Sequence, residues 1–125
     1  MRLVRMFTGE DGQSHFEEID LPAKADAVGE TASLLNACGA VTMRRVLPGP
    51  DAGWPPARTG GWHKAPRRQY VVVLSGEMEV AVADGETRRF RPGDVLLTED
   101  TTGKGHITRT VGDQSRVMLH IPLEP

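Results

Sequence analysis

Gly61-Trp62-His63-Lys64-Ala65-Pro66-Arg67-Arg68-Gln69-Tyr70, running on through Val71-Val72-Val73-Leu74 to Ser75-Gly76-Glu77, is the stretch on which the fold turns. An apolar run closed by a Ser-Gly turn reads as a strand and its exit. Further strands follow at short intervals: Glu77 to Val82, Glu86 to Phe90 and Val95 to Leu97, separated by turns at Asp84-Gly85 and Pro92-Gly93. Short strands spaced by glycine-bearing turns are the signal of an all-β sandwich or barrel. A last strand, Ser115 to Pro122, follows the Gly112-Asp113 turn.

Toward the amino end, Arg2 to Phe7 alternate basic and apolar residues, Gly9 to Gly12 read as a turn, and Ser14 to Leu21 read as a second strand. The pattern predicts a hairpin. Asp26 to Asn36 fit a short turn of helix. Ala40 to Leu47 read as a strand with Val41, Met43, Arg45 and Leu47 on one face and Thr42, Arg44 and Val46 on the other. Pro48 to Gly61 hold four prolines and four glycines, a composition that excludes regular structure and predicts a loop. There is no internal repeat.

A chain of 125 residues fits one domain and buries a core without disulfides or a structural metal. Fifteen basic against seventeen acidic residues leave a formal charge of −2, which carries no electrostatic footprint for nucleic acid or an anionic membrane. No apolar run approaches the roughly 20 residues that span a bilayer, and Met1 to Arg5 are not followed by the apolar segment of a signal peptide. These features predict a cytoplasmic protein. Cys38, the sole cysteine, excludes an internal disulfide and fits a reducing compartment. Its small flanks, Ala37 and Gly39, predict a buried residue.

A second histidine segment runs from Arg91-Pro92-Gly93-Asp94 through Gly103 to His106-Ile107-Thr108-Arg109. Together the two segments resemble the two motifs of the cupin superfamily. His63 falls on the first histidine of the first motif, Ala65 on the second, Gln69 on the glutamate and Gly76 on the closing glycine. In the second motif Pro92-Gly93-Asp94 supplies the turn and Gly103 and His106 keep the glycine-to-histidine spacing, while Thr101 and Thr110 stand where proline and asparagine are usual. The resemblance covers residues 40 to 122. It implies a cupin double-stranded β-helix, a jelly-roll barrel, in a single domain over residues 1–125. Residues 1–39 would supply the amino-terminal strands and the short helical turn, and 40–122 the conserved barrel. It also implies a homodimer in which the amino-terminal strand crosses to a partner; the alternative is that this strand edges its own sheet.

The same resemblance places His63 and His106 in the barrel, where two imidazoles suit Ni, Cu, Zn or Fe. Gln69 would be the third ligand of such a metal site. Ala65 offers no donor and Gln69 only a neutral amide, so the charge that offsets a divalent ion is missing. The metal-free reading makes His63 a general base with His106 beside it, which the ordinary imidazole pKa near 6.5 suits. Strand parity puts Arg67 with His63 and Gln69, where a guanidinium would bind a substrate carboxylate or phosphate. Trp62 is a candidate wall of the pocket and Lys104 a candidate holder of an anionic group, while Trp54 flanks the Pro/Gly loop. Tyr70 is expected to face away. His15 and His120 either complete the site or lie outside it, and Glu99 and Asp100 are either general acids or solvated loop carboxylates. Arg88, Arg89 and Arg91 read as a solvated face. No phosphate-cradling loop, G-x-S-x-G elbow or C-x2-C pair is present. Four readings stay open: a metal-dependent oxygenase or isomerase, a metal-free dehydratase or epimerase, a ligand-binding sensor without turnover, and a purely structural dimer whose pocket is filled by side chains.

Overall fold

Residues 1–32, 37–48 and 61–125 are described by the computed structural model of the chain. Among them lie eleven strands: β1 (Arg2–Thr8), β2 (Ser14–Asp20), β3 (Ala23–Ala25), β4 (Glu30–Ala32), β5 (Thr42–Val46), β6 (Gln69–Ser75), β7 (Glu77–Val82), β8 (Thr87–Phe90), β9 (Val95–Glu99), β10 (His106–Val111) and β11 (Arg116–Pro122). They form a six-stranded sheet in the order β2-β1-β9-β6-β11-β5, a three-stranded sheet β10-β7-β8, and the small hairpin β3-β4. The result is an all-β jelly roll. The amino-terminal hairpin edges its own sheet, with β1 parallel to β9 and Val4 opposite Leu96.

The two larger sheets close on one another over the apolar residues that their strands direct inward, every second position along each strand. Met6, Val71, Val73, Met78, Val80, Val82, Phe90, Leu96 and Met118 fill the space between them. Each such side chain contributes about 1.5–3 kcal/mol on burial, so these residues fix the register of both sheets. The opposite face of the large sheet carries a second cluster of Leu3, Tyr70, Leu97 and Leu123. Tyr70 is therefore on the side away from the barrel interior, as the alternation with Gln69 requires, and is 1% exposed.

Two local expectations are corrected. The stretch expected to form a short helical turn holds instead the β3-β4 hairpin: the Asp26 carboxylate accepts from the backbone N–H groups of Val28 (2.8 Å) and Gly29 (3.0 Å) and tightens a turn. Residues 33–36 of that stretch, and residues 49–60 of the expected Pro/Gly loop with Trp54, lie outside the described residues. Cys38 is exposed rather than buried. Its N–H is tied to the Pro122 carbonyl (2.8 Å) and the neighbouring Ala37 bridges Leu123, so the segment pairs antiparallel with the end of β11 and leaves the Cys38 side chain exposed. On β5 the polar face turns inward. Thr42, Arg44 and Val46 face the interior, and Met43 and Leu47 are 68% exposed. No helix among the described residues is long and apolar enough to cross a membrane.

Candidate functional site

The sheets enclose a cavity of about 450 Å³. Gln69 and Val71 of β6, Leu96 and Thr98 of β9 and Met78 and Val80 of β7 form much of its wall. The segment before β6 contributes Gly61, His63, Ala65, Pro66 and Arg67, so the odd-numbered residues face the cavity up to Gln69 although the chain bends at 66–68. That period carries Arg68 to the other face, where its Nε donates to Glu99 (2.5 Å).

His63 and His106 meet as an antiparallel bridge outside the regular strands, each backbone N–H donating to the other's carbonyl at 3.0 and 2.8 Å. Gly105 permits this approach. Its φ of 82° lies in the left-handed region, and a Cβ there would run into the carbonyl of His63. The bridge brings the two rings together with centroids 4.5 Å apart and planes tilted by 60°. His106 is 7% exposed and His63 lies nearer the surface.

Behind His106 stands Asp100, with no exposed surface. Its Oδ2 accepts from the Ser14 hydroxyl at 2.6 Å and from His106 Nδ1 at 2.6 Å. A carboxylate oxygen that accepts from Nδ1–H selects the His106 tautomer whose lone pair lies on Nε2. The same logic applies to His63, whose Nδ1 donates to the Gly61 carbonyl at 3.1 Å. The β1-β2 hairpin clamps the loop that presents Asp100: Lys104 N–H donates to the Gly12 carbonyl (3.0 Å) and the Thr8 hydroxyl to that of Thr102 (3.0 Å). Ala65 N–H adds a bond to the Asp100 carbonyl (3.0 Å), tying both histidine segments to one loop.

Glu99 points the other way. It accepts from Arg5 and Arg68, both at 2.5 Å, while Arg5 also reaches Glu17 at 2.6 Å. Burial pushes the Glu99 carboxyl up, but the hydrogen bonds and charges of Arg5 and Arg68 outweigh it and hold the group below the ordinary carboxylate range. Of the two adjacent carboxylates only Asp100 serves the cavity.

The remaining wall is cationic. Arg44, Arg67 and Arg116 line the cavity together with His120, and no carboxylate lines it among the described residues. Arg116 is 5% exposed, and neither its Nε nor its Nη1 has a hydrogen-bond partner among the described residues. Burial, aided by the charge of Arg44, lowers its pKa to about 10, so it stays protonated at neutral pH. Burial also pushes the His120 imidazole down, and the charges of Arg44 and Arg116 push it further. The buried Nε2 of His120 has no partner among the described residues.

Two expected binding residues lie elsewhere. Trp62, one position out of phase with His63, is not part of the cavity wall, and Lys104 places its ammonium 4.6 Å from the Trp62 ring centroid in a cation–π contact outside it. His15 is also remote, on the hairpin, with Nε2 2.9 Å from Asp11 Oδ2. Arg88 and Arg89 spend their charge on surface pairs with Glu18, Glu86 and Glu79. Sequence reasoning passed over Arg44, Arg116 and Ser14. The signal for Arg116 was the alternation Arg116-Met118-His120-Pro122, all of which face inward.

A divalent metal is the cofactor that the motifs imply, and the donor set tests the fit. His63 and His106 offer two imidazoles and Gln69 a neutral amide, and no group of three His, Cys, Asp or Glu side chains among the described residues is arranged to hold a metal ion. Three guanidiniums line the same cavity. With no anionic donor among them, the residues do not fit a firmly held divalent ion.

A jelly roll with imidazoles, an amide and guanidiniums converging on an interior cavity defines a small-molecule-binding β-barrel. The chain belongs to the cupin family: the family described as Cupin domain matches residues 52–122. The crystal structure of protein NMB1881 from Neisseria meningitidis is similar over 65% of this chain and 71% of that one, at 21% sequence identity and a TM-score of 0.44. No curated protein matches the chain.

Proposed function

We propose that the cavity is an active site for proton transfer on a small polar substrate, in isomerase, epimerase or dehydratase chemistry, with His106 as the base. One observation carries this reading. A fully buried carboxylate fixes the tautomer of His106 and leaves its Nε2 as the acceptor. A base oriented by a third group is the arrangement that activates a proton transfer.

In this chemistry a C–H bond next to a carbonyl breaks, its proton passes to His106 Nε2, and its electron pair remains on the substrate as an enolate. Asp100 then faces an imidazolium and stabilises it. Gln69, which lines the cavity, supplies an amide donor to the enolate oxygen in this reading. His63 supplies the second proton position. With centroids 4.5 Å apart, one ring donates while the other accepts. The role of base therefore moves from His63 to His106, the ring that has the carboxylate behind it.

The test is hydrogen exchange in deuterium oxide, followed by proton NMR on a panel of small oxo and hydroxy acids. Wild type exchanges the proton beside the carbonyl, His106→Asn does not, and Asp100→Asn is slower by about 10²–10⁴. Equal exchange in the variants, or none by the wild type with any compound, overturns the reading. Elemental analysis of protein purified without chelator gives a second check: near-stoichiometric transition metal lost in both His63→Ala and His106→Ala would also refute it.

A further inference from the structure

We infer that the cavity takes an anion, its carboxylate or phosphate group seated on Arg116 and Arg44 at the end of the barrel away from the imidazoles. This deepens the proton-transfer reading and rests on the same cavity. The first observation is the burial of Arg116: a guanidinium 5% exposed, with Nε and Nη1 lacking partners among the described residues. A buried charge without a counter-charge is costly, and its fork geometry matches an oxyanion. The second is the electrostatic composition of the wall. Arg44, Arg67 and Arg116 all line the cavity, and no carboxylate among the described lining residues offsets them.

Strand register gives the cavity a direction. Pro122 pairs with Gln69, His120 with Val71 and Met118 with Val73 along β6, while Arg44 on β5 sits opposite Met118. His106 pairs with Val82 at the far end of β7, level with the start of β6. Arg116 therefore stands six residues along β11 from the Gln69 level, about 20 Å of backbone at ~3.3 Å per residue. Arg44 stands four residues along, about 13 Å. The long arginine side chains shorten both gaps. A ligand seated on them reaches the imidazoles only if several bonds separate its anionic group from its reacting carbon.

The probes are inorganic phosphate, acetate and succinate, with succinamide as the neutral control, at constant ionic strength. Calorimetry and thermal melts are run on wild type, Arg116→Met, Arg44→Met and His106→Asn. We expect at least one anion to bind wild type and raise its melting temperature, with succinamide inert. Arg116→Met should bind that anion at least tenfold more weakly, yet melt no lower than wild type without it, because a buried unpaired charge has been replaced by an apolar chain. Arg44→Met, on the exposed edge strand, repeats the binding loss should Arg116→Met fold poorly. His106→Asn should keep anion affinity, so failure of the proton-transfer reading leaves this result standing. A phosphate response without a carboxylate response assigns a phosphate ester, and the converse a carboxylic acid. No response to any anion, equal response to succinamide, or undiminished affinity in both arginine variants overturns the inference.

Discussion

Ser14→Ala is the substitution that reads most directly on the site's internal support. Ser14 is 1% exposed and its hydroxyl donates at 2.6 Å to a carboxylate with no exposed surface. Removing it leaves Asp100 Oδ2 with His106 as its one remaining donor among the described residues. A hydrogen bond to a charged group is worth about 1.5–3 kcal/mol, and almost no cavity volume is created, so that range is the expected loss of stability. For 125 residues at ~2.1 cal/mol/K each, the unfolding entropy is about 0.26 kcal/mol/K, which converts the loss into a melting temperature lower by roughly 6–11 °C. Urea unfolding of wild type, Ser14→Ala, Asp100→Asn and the double variant forms a cycle. The two sites touch, so their coupling should exceed about 0.5 kcal/mol. A single-variant loss below about 0.5 kcal/mol, or an additive cycle, refutes the reasoning that Ser14 secures Asp100.

Gly105→Ala should destabilise by more than the roughly 1–2 kcal/mol of a left-handed residue, because the His63 backbone must also move, whereas Gly85→Ala, at φ 94° with nothing near its Cβ position, should show only the conformational part. Urea midpoints compare the two, and equal losses would sink the close-approach argument. His120 has a pKa depressed below its unfolded value near 6.5, so its neutral form stabilises the fold above that pH and the benefit is lost as pH falls through the folded value. His120→Gln should therefore flatten the fall in stability from pH 7 downward, and an unchanged slope contradicts the assignment. The outer edge of β5 is unpaired among the described residues and exposes Met43 and Leu47, each 68%, so we propose that a second copy covers it. Sedimentation should give a dimer that Met43→Lys weakens, and a monomeric wild type refutes it.

Much of the fold was legible because turns and alternation are local properties. The Ser75-Gly76, Asp84-Gly85 and Pro92-Gly93 turns bound strands that the structure also has, and parity placed Arg67 inside and Tyr70 outside. The opposed directions of Glu99 and Asp100 follow from the same period but needed one fixed reference residue. The donors to Asp100 were not legible: Ser14 is 86 residues away in sequence, and only the parallel pairing of β1 with β9 brings them together. Arg116 was hidden for another reason. Burial of an unpaired guanidinium contradicts ordinary patterning, which assigns arginine to solvent. The β3-β4 hairpin escaped because its three-residue strands are too short to show a period.

The hairpin at the amino end has a bearing on how the domain can be divided. The family match begins at residue 52, yet Ser14, Gly12 and Thr8 latch the loop that holds Asp100 against His106. A fragment cut at the family boundary keeps both imidazoles and all the inward residues of β6 to β11, but loses the strand whose hydroxyl donates to Asp100 behind His106. Grafting the barrel alone onto another protein would transplant the cavity without its tuning. The unit that must travel together is the whole chain from β1 onward, with the histidine end of the barrel held from a segment outside the part by which its family is recognised.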